Sequence, residues 1–106
     1  MPGFNNDDER IAWTLAETLM EKGRGLMRQA ETALEAFILG KELNRLQCSR
    51  RGISTTDAEI RYSETSNAKK ALSENSFNVT QATMYYGAAA AHYSRAAYLR
   101  SRGVRH

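Results

Sequence analysis

The apolar residues of the chain recur at helical spacing along two long segments. In the first segment they repeat every three or four residues from Ile11 to Phe37, which makes a heptad-like stripe. In the second segment, one set of positions seven residues apart reads Ala58, Thr65, Leu72, Val79, Tyr86 and Tyr93. The set three residues further along is almost entirely small and reads Ala68, Asn75, Ala82, Ala89 and Ala96. This pattern predicts two long helices that pack through a seam where large residues meet small ones.

The first helix has both a start signal and a stop signal. Asn6 can cap its first turn, with Glu9 three residues later, and the acidic residues after Asn6 suit the positive end of the helix dipole. At the other end two arginines fit the last turn, and Gly52 fits the position just beyond it. These signals predict a helix over about 7–50.

The second helix begins with a capping box and contains one weak stretch. Thr56 as N-cap and Glu59 three residues later form the box, and Gly103 suits the far end. The pattern therefore predicts a helix over about 57–101. The stretch ENSFNVTQ within it has mediocre helix propensity. A three-helix bundle with a break near 75–80 is therefore the alternative prediction.

Two helices of nearly equal length joined by a short polar turn predict an all-α fold. The expected architecture is a long antiparallel helical hairpin, coiled-coil-like and rich in alanine, in which the numbers of facing positions sum to about 108. That register places Gly23 near Tyr85 and Tyr86. Large residues are expected to hold the seam, namely Trp13, Leu34, Phe37, Leu72 and Val79. The chain, 1–106, is expected to be one helical domain with flexible ends at 1–5 and 103–106.

The segment YYGAAAAHYSRAAYLR is apolar over more of its circumference than one partner helix can cover. A two-helix hairpin has a single seam, and a chain of 106 residues with an alanine-rich seam is marginally stable alone. We therefore expect self-association, or docking against another helical protein, through this face. The residues predicted to form the interface are Met84, Tyr85, Tyr86, Tyr93, Tyr98 and Leu99.

Composition and cysteine content narrow the class of protein. Hydrophobic residues make up 42% of the chain, but fifteen of them are alanine, which buries little area. Cys48 is the only cysteine, so an intrachain disulfide framework is excluded. Neither a signal peptide nor an apolar run of membrane-spanning length is visible in the sequence. We therefore expect a soluble, cytoplasmic protein that does not insert into membranes.

Few residues suggest catalysis or metal binding. His92 falls opposite Glu17 in the predicted hairpin, so an acid–base pair is geometrically feasible. However, no nucleophile motif and no glycine-rich phosphate loop accompany this pair. His92 and Cys48 fall toward opposite ends of the helices, and no Glu-x-x-His or His-x-x-x-His spacing occurs. We expect no enzymatic activity, no cofactor and no metal ion.

Positive charge collects toward the C-terminal end of the chain. The net charge is +3, and no acidic residue follows Glu74. The arginines beyond it are candidate phosphate contacts, namely Arg95, Arg100, Arg102 and Arg105. The predicted hairpin also brings them beside the acidic start of the first helix, which can neutralise them. A small nucleic-acid-binding or regulatory protein is therefore the alternative function.

These patterns together favour a non-enzymatic function in helical assembly. The protein is expected to be a structural or adaptor subunit of a larger complex that binds through helical faces. Its small size and lack of catalytic chemistry suit a component of a virion or of a secretion-type assembly.

Overall fold

A computed structural model of the chain describes residues 3–103, which form three helices. They are α1 (Asp7–Arg50), α2 (Thr55–Ser63) and α3 (Ser66–Gly103). The described residues form an all-α helical hairpin in which α1 packs against α3, and the predicted fold class is confirmed. The hairpin divides into two compact units. The first unit is formed by the chain up to Leu26 and from Thr80 onward, and the second unit is Met27–Val79.

Both ends of α1 follow the predicted capping chemistry. The Asn6 side chain accepts a hydrogen bond from the Glu9 backbone N–H at 2.8 Å, and the Glu9 carboxylate accepts one from the Asn5 N–H at 3.0 Å. At the C-terminus, the Ile53 N–H donates to the Cys48 carbonyl at 2.9 Å, which closes a Schellman motif. Gly52 has a φ of 76°, in the left-handed region that this motif requires and glycine adopts easily.

The predicted cap of the second helix is wrong by two residues. The Ser54 side chain, rather than that of Thr56, accepts from the backbone N–H three residues later, Asp57, at 3.2 Å. Ser54 has an extended backbone, with φ −64° and ψ 157°, which an N-cap residue needs. Thr56 therefore lies inside the first turn of α2.

The second helix is interrupted at Glu64 and Thr65, early in the predicted range 57–101. The Thr65 hydroxyl accepts from the Ala68 N–H at 3.2 Å and donates to the Tyr62 carbonyl at 2.7 Å. A threonine that satisfies these backbone groups competes with continuous helix, so α2 ends and α3 begins at this point.

The alternative break near 75–80 is wrong, because α3 is continuous through these positions. The Asn75 amide, in the middle of the weak stretch, donates to the Ala30 carbonyl of α1 at 2.8 Å. This tertiary bond to the facing helix offsets the low helix propensity of the neighbouring residues.

In the first unit, the seam between α1 and α3 is built from the smallest side chains. Its alanines are at most 3% exposed, namely Ala12, Ala16, Ala82, Ala89 and Ala96. Gly23 is also buried, and the Tyr86 ring lies directly on its backbone, so that a Cβ at position 23 would lie 2.5 Å from Cε1 of Tyr86. This contact confirms the predicted proximity of Gly23 to Tyr86.

In the second unit, α2 and α3 pack on α1 through alanines and one large ring. The buried alanines are Ala30, Ala33, Ala58 and Ala68. Tyr62 is 8% exposed, its ring centroid lies 5.3 Å from that of Phe37, and its hydroxyl donates to the Phe37 carbonyl at 2.9 Å. The ring also lies against Gly40, where a side chain would collide with it. Tyr62 therefore anchors α2 to α1.

The large residues predicted to hold the seam lie beside it or outside it. Leu34, Leu72 and Val79 are 41%, 43% and 37% exposed, so this part of the prediction is wrong. Trp13 and Phe37 are half-buried. The physical reason is close approach: helices that meet through alanine and glycine leave too little space for leucine or valine between their backbones.

The residues before α1 contact the hairpin. The Phe4 ring lies 6.4 Å from that of Trp13, and the Asn5 amide donates to the Arg100 carbonyl at 3.0 Å. The flexible ends predicted at 1–5 and 103–106 lie partly outside the described residues, which begin at Gly3 and end at Gly103.

Candidate functional site

Large apolar side chains are concentrated on the outside of the molecule. Among residues 3–103, thirteen of them are more than a third exposed, and nine of the thirteen lie in the second unit. These nine are Leu34, Ile38, Leu39, Leu43, Leu46, Ile60, Leu72, Phe77 and Val79. Contiguous exposed apolar patches are candidate interaction surfaces, so the grouping of these residues on each helix decides which of them can serve as one.

Three of these residues form a continuous line on α1, which we name the leucine stripe. Leu39, Leu43 and Leu46 are 64%, 61% and 45% exposed. Their spacing of four and then three residues places them within about 60° of one another around the helix. Ala30, which lies in the seam, is nine residues before Leu39 and therefore points about 180° away. Leu39 and Leu46 thus face away from the seam with α3, and Leu43 lies on the flank nearer to α3.

A groove borders the leucine stripe in the second unit. It has a volume of about 560 Å³, and Leu43 forms part of its wall beside Tyr62 and the Lys70–Glu74 ion pair, whose charged atoms are 3.9 Å apart. The remaining lining residues are Ala36, Gly40, Asn44, Gln47, Thr65, Asn67 and Ala71. The stripe is therefore an apolar ridge next to a concave surface of mixed polar and apolar character.

The interface predicted from the sequence lies in the first unit, and its residues differ in exposure. Met84 and Tyr98 are 64% and 58% exposed. Tyr85 and Leu99 are half-buried, and the Lys22 ammonium group lies 5.8 Å from the centre of the Tyr85 ring. Met84 and Tyr98 are therefore the members of the set with the most surface to offer a partner.

Tyr86 and Tyr93 contact α1 within the hairpin. The Tyr86 ring covers Gly23, and the Tyr93 ring packs edge-on against Trp13 with centroids 5.0 Å apart. The Tyr93 hydroxyl donates to the Glu17 carboxylate at 2.8 Å. The carboxylate that the sequence placed opposite His92 thus bonds to the neighbouring tyrosine.

The Tyr93–Glu17 bond makes stability depend on pH. The hydrogen bond to Glu17 raises the pKa of Tyr93 above its usual value of 10.0, and burial and the Glu17 charge act in the same direction. Because this pKa is higher in the folded chain than in the unfolded one, the contribution is complete below about pH 10 and is lost as pH rises through the raised pKa. We expect the stability difference between wild type and Tyr93→Phe to shrink at high pH in chemical denaturation. A difference that stays constant would contradict this.

The C-terminal arginines are only partly available for a phosphate. The Arg100 guanidinium donates to the Glu9 carboxylate at 3.0 Å, and the Glu9 side chain is 2% exposed. Arg102 lies 5.7 Å from the Tyr98 ring centre and donates to its hydroxyl at 3.1 Å. Arg95 is exposed, and Arg105 lies outside the described residues. The charge of Arg100 is therefore neutralised by Glu9 within the hairpin.

The Glu9–Arg100 pair borders a small apolar cavity of about 160 Å³. Its other lining residues are Phe4, Trp13, Tyr93, Ala96 and Ala97. Because its one carboxylate is already bonded to Asn5 and Arg100, the cavity offers packing space and no free acid or base.

Other chemistry is sparse. Within residues 3–103, no three His, Cys, Asp or Glu side chains are grouped so that they could hold a metal ion. Cys48 is buried and His92 is half-buried. None of the three helices, over the part of the chain that the structure describes, has an apolar stretch that could cross a membrane.

Sequence reasoning missed the leucine stripe and the role of Tyr62. The signal for the stripe is present, because leucines spaced by four and three residues on a predicted helix must share a face. Tyr62 is the one tyrosine outside the tyrosine-rich segment, and the residues around it form no pattern that predicts its burial.

Comparison with known proteins adds no relative from which function can be transferred. No protein-family model, no curated protein and no solved structure matches the chain. The function is therefore argued from the chain's own residues.

Proposed function

We propose that this protein is a non-enzymatic helical assembly protein, a structural or adaptor subunit that associates through exposed apolar helix faces. The observation that carries the proposal is the placement of the large apolar side chains. The fully buried residues are mainly alanines, whereas thirteen large apolar side chains among residues 3–103 are more than a third exposed. In a monomer that is stabilised on its own, isoleucine, leucine, phenylalanine and methionine are among the residues most often fully buried.

The energetics support association. Complete burial of a leucine side chain contributes about 1.5–3 kcal/mol, and an alanine contributes much less. The three leucines of the stripe are roughly half exposed or more, so a partner helix that covers them recovers a substantial part of that contribution. A small domain whose seam consists of alanine buries little apolar area on its own. Association buries the additional apolar area that is needed for stability.

The test is the solution mass of the wild-type chain, measured by light scattering after size-exclusion chromatography over a wide concentration range. We expect the mass to rise with concentration from the 11.9 kDa of one chain toward a defined multiple. Circular dichroism on the same samples checks that the chain is helical throughout. A fully helical chain that stays at 11.9 kDa at every concentration would contradict self-association.

The same samples address the nucleic-acid alternative. A labelled oligonucleotide that binds at physiological salt, with binding lost when Arg95 and Arg102 are changed to glutamine, would favour the alternative over assembly. We expect binding that disappears as salt is raised, because Arg100 is already paired with Glu9.

A further inference from the structure

We infer that the leucine stripe is the interface of an antiparallel dimer, and that its occupant is the same stripe of a second copy of this chain. This inference rests on the proposed function and names the partner and its orientation. The occupant follows from the charges at the two ends of the stripe.

The stripe has one acidic and one basic end. Glu35 lies four residues before Leu39, and Arg50 lies four residues after Leu46. Four residues on a helix is just over one turn, so both charged side chains lie on the same face as the leucines. Both are exposed, and within residues 3–103 neither has an ion-pair partner. The face therefore reads, in chain order, negative, three leucines, positive, and Glu42 at its edge is already paired with Arg45 of the same helix.

This arrangement is self-complementary only when the two copies run in opposite directions. A two-fold axis between residues 42 and 43 places Leu39 against Leu46 of the second copy and brings Leu43 close to its own copy. The same axis places Glu35 against the second copy's Arg50 at both ends. A parallel pair would instead place Glu35 against Glu35 and Arg50 against Arg50. Charge complementarity thus selects the antiparallel dimer.

The size of the contact sets the expected affinity. The stripe from Glu35 to Arg50 is about 22 Å long at 1.5 Å per residue. One helix–helix contact of this length buries less than the roughly 800 Å² per partner of a standard interface. We therefore expect a weak, reversible dimer with a dissociation constant of about 10–100 μM.

Charge reversal tests the pairing. We expect Glu35→Arg and Arg50→Glu each to weaken dimerisation about five-fold or more, because each change makes both ends of an antiparallel dimer repulsive. The double variant Glu35→Arg/Arg50→Glu restores opposite charges at both ends and should dimerise like wild type. Both substituted side chains are exposed, so circular dichroism should show the same helix content in all three variants. In a parallel dimer Glu35→Arg only exchanges one like-charge pair for another, and dimerisation would not weaken.

Disulfide trapping tests the axis. In a Cys48→Ser background, we expect Leu43→Cys to form a disulfide-linked dimer on mild oxidation, because residue 43 lies close to its own copy. Leu39→Cys alone should not link, whereas a mixture of Leu39→Cys and Leu46→Cys chains should link to each other. Ala90→Cys, on an exposed position of α3 in the first unit, is the matched control and should remain monomeric on a denaturing gel.

The outcomes separate this inference from the proposed function. If the wild-type chain dimerises but the reversals have no effect and residue 43 does not link, association uses another face: the proposed function stands and the inference is overturned. If the wild type stays monomeric and no cysteine pair links at any concentration, self-association and this inference are both contradicted, and an adaptor function would have to use a different protein as partner. Restoration by the double variant together with linkage at residue 43 supports both.

Discussion

Replacing Ala89 by leucine is expected to lower the free energy of unfolding by about 3 kcal/mol. Ala89 is 0% exposed in the seam between α1 and α3. A leucine adds three carbon atoms where the helices already touch, so either the helices separate and expose the neighbouring alanines or the side chain is forced into a strained rotamer. Urea denaturation followed by circular dichroism, at a concentration low enough to keep the chain monomeric, measures the loss.

The neighbouring residue gives a matched control. Ala88 is exposed on the same turn of α3, and its replacement by leucine should change stability by no more than about 0.5 kcal/mol. The pair of variants holds composition and helix propensity constant and changes only the direction of the side chain. Equal effects at 88 and 89 would contradict an alanine seam at this position.

Replacing Arg100 by methionine is expected to lower the free energy of unfolding by about 3 kcal/mol, at the lower end of the range for a broken buried ion pair. The Glu9 side chain is 2% exposed, and Arg100 provides its only cationic partner among the described residues. The methionine side chain keeps much of the packing volume and leaves the carboxylate buried without a compensating charge. The value is at the low end because Arg100 itself is 41% exposed.

A double-mutant cycle identifies the cause. Adding Glu9→Gln to Arg100→Met removes the unpaired charge, and glutamine can still accept the hydrogen bond from the Asn5 backbone. We therefore expect the double variant to recover most of the lost stability, whereas Arg95→Met, an exposed arginine on the same helix, should be nearly neutral. Additive losses in the double variant would show that Arg100 acts through packing alone.

The helices, their ends and their pairing could be predicted from the sequence because each depends on short-range chemistry. Asn6 and Gly52 act as the caps that their residue types favour. The meeting of Gly23 and Tyr86 follows from equal helix lengths and a short turn. These features can be predicted from the spacing of the residues and from the backbone preferences of the capping residues.

The break at Thr65 and the composition of the seam could not be predicted in the same way. The weak stretch around Asn75 stays helical because its amide bonds to Ala30 on the facing helix, whereas Thr65 caps a new helix with its own hydroxyl. The two sites have similar helix propensity, and the tertiary bond of Asn75 keeps one of them helical while the local bonds of Thr65 interrupt the helix at the other. The heptad pattern located the seam correctly, but the closeness of the helices decides that alanine fills it and that Leu72 lies outside.

The candidate site was the hardest part to predict. The unusual composition of the tyrosine-rich segment predicted an interface there, yet two of its rings, those of Tyr86 and Tyr93, contact α1. The leucine stripe has ordinary composition, and a leucine at helical spacing is more often in the core than on the surface. Only the burial of each residue shows which apolar positions remain for a partner.

A dilution series of amide nitrogen–proton correlation spectra tests the central claim most directly, because it shows both whether and where the chain associates. We predict concentration-dependent shifts that are centred on residues 35–50 of α1, while the alanine seam of the first unit stays constant. Shifts confined to the tyrosine-rich segment 84–99, or a spectrum that does not change up to about 1 mM, would contradict it.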